Sequence, residues 1–306
     1  MRSQIFTTFA TSLIVFGAGC ANSPLSDLGA SVISQTGYVS ESQAKGLFSV
    51  GDKLAKSQES LTPEQEYYLG RAVSAKLLAS YPPKLDAGKT KYLNEIGMSL
   101  VAVSDMPETF GGYHFAVIDS PTINAMSAPG GFIYLSSGFI KLLPDEDSLA
   151  AVLAHEIGHE VHQDGVNAIS NAALFSALSE ASAQGASIAM SQVSSPVDLG
   201  AITSVFSQSV EGVTEKLLTK GFDRSQEYKA DLYAANLLQK AGYNPKALIG
   251  VLKILQDHSS SDNGGWFATH PNPADRIAEL EDDYTFADAS QTLPARTARF
   301  RQVFAR

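Results

Sequence analysis

His155-Glu156-Ile157-Gly158-His159 constrains this chain more than any other stretch. Two imidazoles four residues apart can face one ion only if the backbone between them is helical, because that spacing stacks them about one turn apart. Glu156 then points about 100° round the helix, where it can hold a water beside a metal without ligating it. The flanking residues tell whether such a helix is exposed or buried. Pro144-Asp145-Glu146-Asp147-Ser148 supplies a turn and an acidic first turn that suits the positive end of the helix dipole. Leu149, Val152, Leu153, Ile157 and Val161 then fall on one apolar arc, and Ala151, Ala154 and Gly158 leave the opposite side open to close approach. The pattern predicts a buried helix, in which polar side chains need partners. Two hydrogen-bonded core histidines are the plain alternative to a metal pair.

A catalytic zinc has three protein ligands and one open position. His162 follows His155 on nearly the same stripe, but one straight helix cannot easily wrap three ligands round a tetrahedral ion. The longer pattern HExxHxxGxxH fails, because position 162 is His and position 165 is Gly. His162 therefore reads as a supporting or surface residue. Downstream, Glu227 and Asp231 share one face of a helical segment that runs to Lys240 and stops at Ala241-Gly242-Tyr243-Asn244-Pro245. In one reading Glu227 ligates the metal and Asp231 accepts a hydrogen bond from the far nitrogen of a ligating histidine. The spacing fits an ordinary solvated acidic pair equally well.

Further motifs bring in a resemblance. Asn124-Ala125-Met126-Ser127-Ala128-Pro129-Gly130-Gly131-Phe132-Ile133-Tyr134, the lead-in Ser148 to Ala154, Glu227-x-x-Ala230-Asp231 and His270-Pro271-x-Pro273-x-x-Arg276 occur in this order. With HExxH they resemble the gluzincin metallopeptidases of the HtpX and CAAX-prenyl-endopeptidase family over roughly residues 60 to 280. The resemblance implies an α+β, predominantly helical, zincin-type domain with a small antiparallel sheet and an HExxH active-site helix. It implies one Zn²⁺ per chain on His155, His159 and Glu227, with Glu156 as general base in peptide hydrolysis. It also implies that the His-Pro segment lies over the cleft, with His270 close to the fourth metal position. His270 or Arg276 would support the negative charge that develops on the substrate carbonyl; an ordinary helix-entry residue and a clamp on Asp231 are the respective alternatives. Gly130, Gly131, Phe132 and Ile133 read as the edge strand that holds substrate by backbone hydrogen bonds, or as a tight turn before a core strand. The chain departs from the family at Asp164, where many members carry another histidine. It also lacks membrane spans between the active-site helix and Glu227, since polar residues interrupt every apolar run of 166 to 220.

A formal charge of −10 argues against nucleic acid as a main partner, and 44% hydrophobic residues suffice for a core. The sequence shows no 34-residue period of the helical repeats that some relatives append. Residues 1–19 read as a signal peptide: Arg2, then an apolar stretch from Ile5 to Phe16 too short to cross a bilayer comfortably. Cys20, the only cysteine, follows Gly17-Ala18-Gly19 and reads as a lipidation site, with removal by ordinary signal cleavage as the alternative. Residues 20–58 read as a lipid-proximal tether, 59–283 as the metallopeptidase domain and 284–306 as a tail carrying solvated arginines. The expected setting is the periplasm, at the outer membrane, with membrane contact by the lipid anchor only. The expected substrates are unfolded or envelope polypeptides. A zinc-containing chaperone or assembly factor with little turnover is the competing function.

Overall fold

Thr62 and Pro63 start the first helix as the sequence predicts. Thr62 accepts from the Gln65 N–H, Gln65 caps it in return, and Pro63 occupies the first turn of α1 (Pro63–Ser80). The structure is a computed structural model that describes residues 61–167, 207, 209–258, 265–270, 272–286 and 292–304. The described residues all belong to one compact unit. The expected signal peptide, Cys20, the tether and most of the Ala/Ser-rich stretch after residue 166 lie outside the described residues.

After α1 come α2 (Ala87–Val101), β1 (His114–Ile118), β2 (Ala125–Ala128), β3 (Phe132–Ser136), α3 (Ser137–Ile140), α4 (Glu146–Val161) and α5 (Asp164–Asn167). A π-helical turn at Lys216–Lys220 precedes α6 (Arg224–Lys240). α7 (Lys246–His258), α8 (Trp266–Thr269), α9 (Pro273–Asp283) and α10 (Pro294–Phe304) complete the order. The protein is predominantly helical with one small sheet, as expected, but the sheet is mixed rather than antiparallel. Its order is β1-β3-β2, with β1 parallel and β2 antiparallel to β3. The tight turn Pro129-Gly130-Gly131 folds β2 and β3 into a hairpin, and both glycines take positive φ there. β1 lies on the far side of β3, so β3 is the middle strand.

That order corrects the expectation for Gly130 to Ile133. Gly130 and Gly131 form the turn, and Phe132 and Ile133 belong to a strand paired on both sides, so this segment offers no edge. The outer edge of β1 is also covered. Asn94 accepts from Phe115 N (3.3 Å) and donates to Phe115 O (2.8 Å), and Lys84 N donates to Val117 O (2.7 Å). β2 is the remaining edge. Because Asn124 O pairs with Ser136 N, the antiparallel alternation turns the N–H and C=O of Ala125 and Ser127 away from β3.

α4 runs through the core, as its apolar arc predicts, and is buried from Glu146 to Glu160. Its small face meets α6: a Cβ on Gly158 would lie 3.2 Å from the Ala230 Cα, so the two helices approach backbone to backbone. Asp145 caps the start of α4 through the Ser148 N–H. Among the described residues no helix is long and apolar enough to cross a membrane.

Of the C-terminal arginines, Arg296 is largely out of water, and the exposed Arg299 pairs with a buried acid. α10 packs on α4 and α2. Arg299 Nε lies 2.8 Å from Glu146 Oε2, and Arg296 Nη1 lies 3.0 Å from Asp147 Oδ1. The buried first turn of α4 places two carboxylates out of water, and α10 brings their counter-ions. Burial alone would raise the Glu146 carboxyl, but hydrogen bonds from Arg299 and Tyr92 bring it below the usual carboxylate range.

Candidate metal centre

His155 and His159 project from adjacent turns of α4, Glu227 reaches in from the first turn of α6, and His270 follows α8. One donor atom from each of the four lies within 4.8 Å of all the others, and every one of these side chains is buried. His155 Nε2 and His159 Nε2 are 3.1 Å apart, and the two Nε2 atoms lie 3.6 and 3.4 Å from the Glu227 carboxylate oxygens. His270 Nδ1 is 2.8 Å from Glu227 Oε1. Ordinary core histidines would spread out to separate partners. Here four donors converge on one point, which is a set that suits zinc.

Each imidazole on α4 is oriented from behind by a carboxylate. Asp231 Oδ1 lies 3.0 Å from His155 Nδ1, one helical turn beyond Glu227, where the sequence reading placed it. Asp164 Oδ2 lies 2.8 Å from His159 Nδ1. A carboxylate can only accept, so Nδ1 carries a proton in both rings and Nε2 is the nitrogen left to ligate an ion. The Arg276 guanidinium also approaches His155 Nδ1, at 3.3 Å, but as a donor it cannot share a protonated nitrogen, and the nearer Asp231 decides the tautomer.

Asp164 is the residue that sequence reasoning missed. It was noticed only as a departure from the family pattern. Gln163, just beyond the end of α4, takes φ 55°, the one non-glycine residue with positive φ among those described, and reverses the chain. Asp164 thereby turns back onto His159, while Gln226 Nε2 holds its other oxygen at 2.8 Å. A carboxylate five residues after a candidate ligand was the available signal, but the reversal at Gln163 was not readable from periodicity. Asp164→Ala is expected to weaken zinc binding about 10- to 100-fold, read by competition with a fluorescent chelator. Unchanged zinc affinity would show that Asp164 does not orient the ligand.

Arg276 lies 2% exposed behind the donors. Its Nε and Nη2 reach the two oxygens of Asp231 at 2.7 and 2.6 Å, and Nη1 lies 2.8 Å from Glu227 Oε2. The last pair is close enough for an ion pair but is misaligned for a hydrogen bond, leaving both atoms without a hydrogen-bond partner. The guanidinium is therefore taken up by Asp231 and Glu227, as the clamp reading has it. His270 stacks on Trp266 at 3.8 Å between ring centroids and covers the donors, and Phe222 stacks on His159 at 4.1 Å. His162 stands apart, half-buried against Tyr233.

Charge is sorted sharply within this small volume. Burial would raise Glu227, but His270 and Arg276 hold it well below the usual carboxylate range. Burial, helped by Arg276, brings His155 down to about 4, which keeps it a neutral donor. Burial opposes a charge on His159 too, yet Asp164 and Glu227 outweigh it and push that ring up to about 10. An incoming cation must therefore displace a proton from His159. Glu156 is fully buried, both its oxygens lack any hydrogen-bond partner, and burial pushes it up to about 7.

The profile of peptidase family M48 matches residues 87–283. The beta-barrel assembly-enhancing protease of Escherichia coli (strain K12) is 28% identical over 245 residues, 79% of this chain and 48% of that protein. The mitochondrial metalloendopeptidase OMA1 of Schizosaccharomyces pombe is 29% identical over 217 residues, 68% of this chain and 55% of its own length. Metalloprotease YcaL of Escherichia coli (strain K12) is 25% identical over 170 residues, 55% of this chain and 61% of that protein. The chain spans about half the length of the curated relatives it matches first.

Proposed function

The chain belongs to peptidase family M48, and on that premise we propose that it is a zinc-dependent endopeptidase acting on unfolded or envelope polypeptides. The observation that carries this reading is Glu156: a fully buried carboxylate with no partner, beside four converging donors. A buried group left unsatisfied lowers stability, and such groups persist where chemistry uses them.

His155, His159 and Glu227 would hold the ion, and the orphaned Glu227 Oε2 fits that role. Zinc bound there supplies Lewis acidity toward water and toward a peptide carbonyl. The protein's own residues do the rest. Glu156, poised at about 7, takes a proton from the attacking water and returns it to the leaving amide nitrogen. Asp231 and Asp164 hold the two imidazoles in one tautomer. Arg276 balances the charge of Glu227 and Asp231. The outer edge of β2, buried at Ala125 and Ser127 in this structure, would pair with the substrate backbone, which gives binding tolerant of side-chain sequence. His270 belongs to the same proposal as a residue that would offer a fourth donor.

The purified protein is expected to hold about one zinc per chain and to cleave fluorescein-labelled casein. Cleavage should stop with 1,10-phenanthroline and return with added zinc. Casein cleavage that continues undiminished in metal-stripped protein would refute the reading.

The same proposal places the protein in the periplasm, tethered at the outer membrane through lipidated Cys20. The apolar stretch after Arg2 and the solitary cysteine after Gly17-Ala18-Gly19 support it. Radiolabelled palmitate should enter the wild type and be lost on Cys20→Ala. Equal labelling of both proteins would remove the anchor from the proposal.

A further inference from the structure

Glu66 and Glu160 form a second buried acidic site, outside the metal centre and unused by the chemistry above. Glu66 stands in the first turns of α1 and is 6% exposed; Glu160 follows His159 on α4 and is 4% exposed. The two carboxyls are near enough to act on each other. Burying two acids side by side is costly unless their oxygens are satisfied; Glu160 Oε1 has no hydrogen-bond partner, while Glu66 is held from the β2–β3 turn. The Gly130 N–H donates to Glu66 Oε1 at 3.4 Å, and the same turn and Ser127 adjoin Glu160. Gln163 Nε2 closes the set, 3.5 Å from Glu66 Oε2.

The backbone around this pair is built for contact. A Cβ on Gly70 of α1 would lie 1.7 Å from the Pro129 carbonyl oxygen, and one on Gly130 would lie 2.8 Å from the Tyr67 Cα. α1 and the β2–β3 turn therefore meet without intervening side chains. The turn is the continuation of β2, and Ser127 is one of the two residues whose backbone faces the outer, buried edge of that strand. Glu160 is one residue from His159. The carboxyl pair thus joins the strand on which substrate would lie to the helix that carries the metal donors.

We propose that Glu66, acting through Glu160 and the Gly130–Gly131 turn, is a positioning residue that fixes the height of the β2 edge relative to the metal-binding helix. The proposal rests on the reading of β2 as the peptide-binding strand. It predicts an effect on substrate binding that is separable from metal and from the proton transfer of Glu156. Loss of the Glu66 side chain frees the turn, and a strand displaced by a fraction of an ångström pairs less well with a peptide.

The test uses the zinc-loaded full chain and fluorescein-labelled casein, with hydrogen–deuterium exchange over residues 124–134. Glu66→Ala is expected to raise KM about tenfold with kcat within about twofold. Zinc content should be unchanged, and exchange should be faster in that segment. Glu66→Gln, which keeps an acceptor for Gly130 N and a donor for Glu160, should restore KM and slow exchange. Glu66→Asp, which withdraws the carboxyl by one methylene, should raise KM about threefold and decides the matter if the alanine variant does not fold. A wild-type KM in the Ala or Asp variant, a fall in kcat alone, or a Gln variant no better than Ala would overturn the proposal. If instead casein fails to slow exchange at Ala125 and Ser127 in wild-type protein, the β2 reading itself falls, and the Glu66 proposal with it.

Discussion

Glu156→Gln is expected to leave fold and zinc in place while lowering casein cleavage by about 10²- to 10⁴-fold. The amide has the shape of the carboxylate but cannot accept a proton from water and return it to the leaving nitrogen. A second consequence has the opposite sign. In the folded, metal-free protein burial pushes the Glu156 carboxyl up to about 7, above its unfolded value. An acid raised in this way costs nothing below its unfolded pKa, costs progressively more as pH rises, and costs the full amount above pH 7. The price at pH 8 is on the order of 3 kcal/mol, so the metal-free Gln variant should melt higher than wild type at pH 8 and about equally at pH 4. Loss of activity with gain of stability is the pattern of a group kept for chemistry. Undiminished cleavage by the variant would remove Glu156 from the mechanism. Rescue of envelope defects in cells by a cleavage-dead Gln variant would favour a chaperone or assembly role instead.

Arg276→Ala is expected to destabilise the metal-free protein by about 3–5 kcal/mol, because it leaves two buried carboxylates without their counter-ion. For a unit of this size that is a fall in Tm of roughly 10 °C or more. The guanidinium bridges Glu227 and Asp231 at 2.6–2.8 Å. Arg276→Lys should recover little, since one ammonium cannot span both carboxylates in the same geometry. Zinc should recover part of the loss, because a cation on Glu227 replaces some of the missing positive charge. Thermal melts with and without zinc read both effects. A metal-free Tm equal to wild type would show that Arg276 is not the counter-ion that its position indicates.

The two predictions draw on residues of different legibility. His155, Glu156 and His159 share two turns of one helix, and their relation follows from 3.6-residue periodicity alone. The capping box of Thr62 and Gln65 and the small face around Gly158 are local in the same sense. Asp231 could be placed one turn from Glu227, but its contact with His155 needed α6 to lie across α4. Arg276, named from a resemblance as a charge donor or a clamp, could be assigned only from its contacts. It lies 45 residues from Asp231, and only the packing of α9 against α6 shows where its nitrogens point.

The largest departures concern long-range pairing. Gly130 to Ile133 read as an edge because nothing in a strand's own sequence tells how many neighbours it has. β3 became the middle strand when β1 and β2 took its two sides, and the edge passed to Ala125 and Ser127. Arg296 reads as solvated because tail arginines commonly are, and the exposed Arg299 gives no sign in sequence that it has a partner. Their partners Glu146 and Asp147, about 150 positions earlier, are acids that suit a helix start wherever it lies.

The sequence by itself determined which residues share a helical turn, where helices begin, and that a metal pair with an adjacent base would be buried. Those properties depend on backbone geometry over four or five residues and on apolar periodicity. Only the tertiary structure decided which strand lies at the edge of the sheet, which carboxylate orients each imidazole, and which charges lose water and so require a counter-ion. Sheet order, the reversal at Gln163 and burial arise from contacts between distant segments, and no local pattern encodes them.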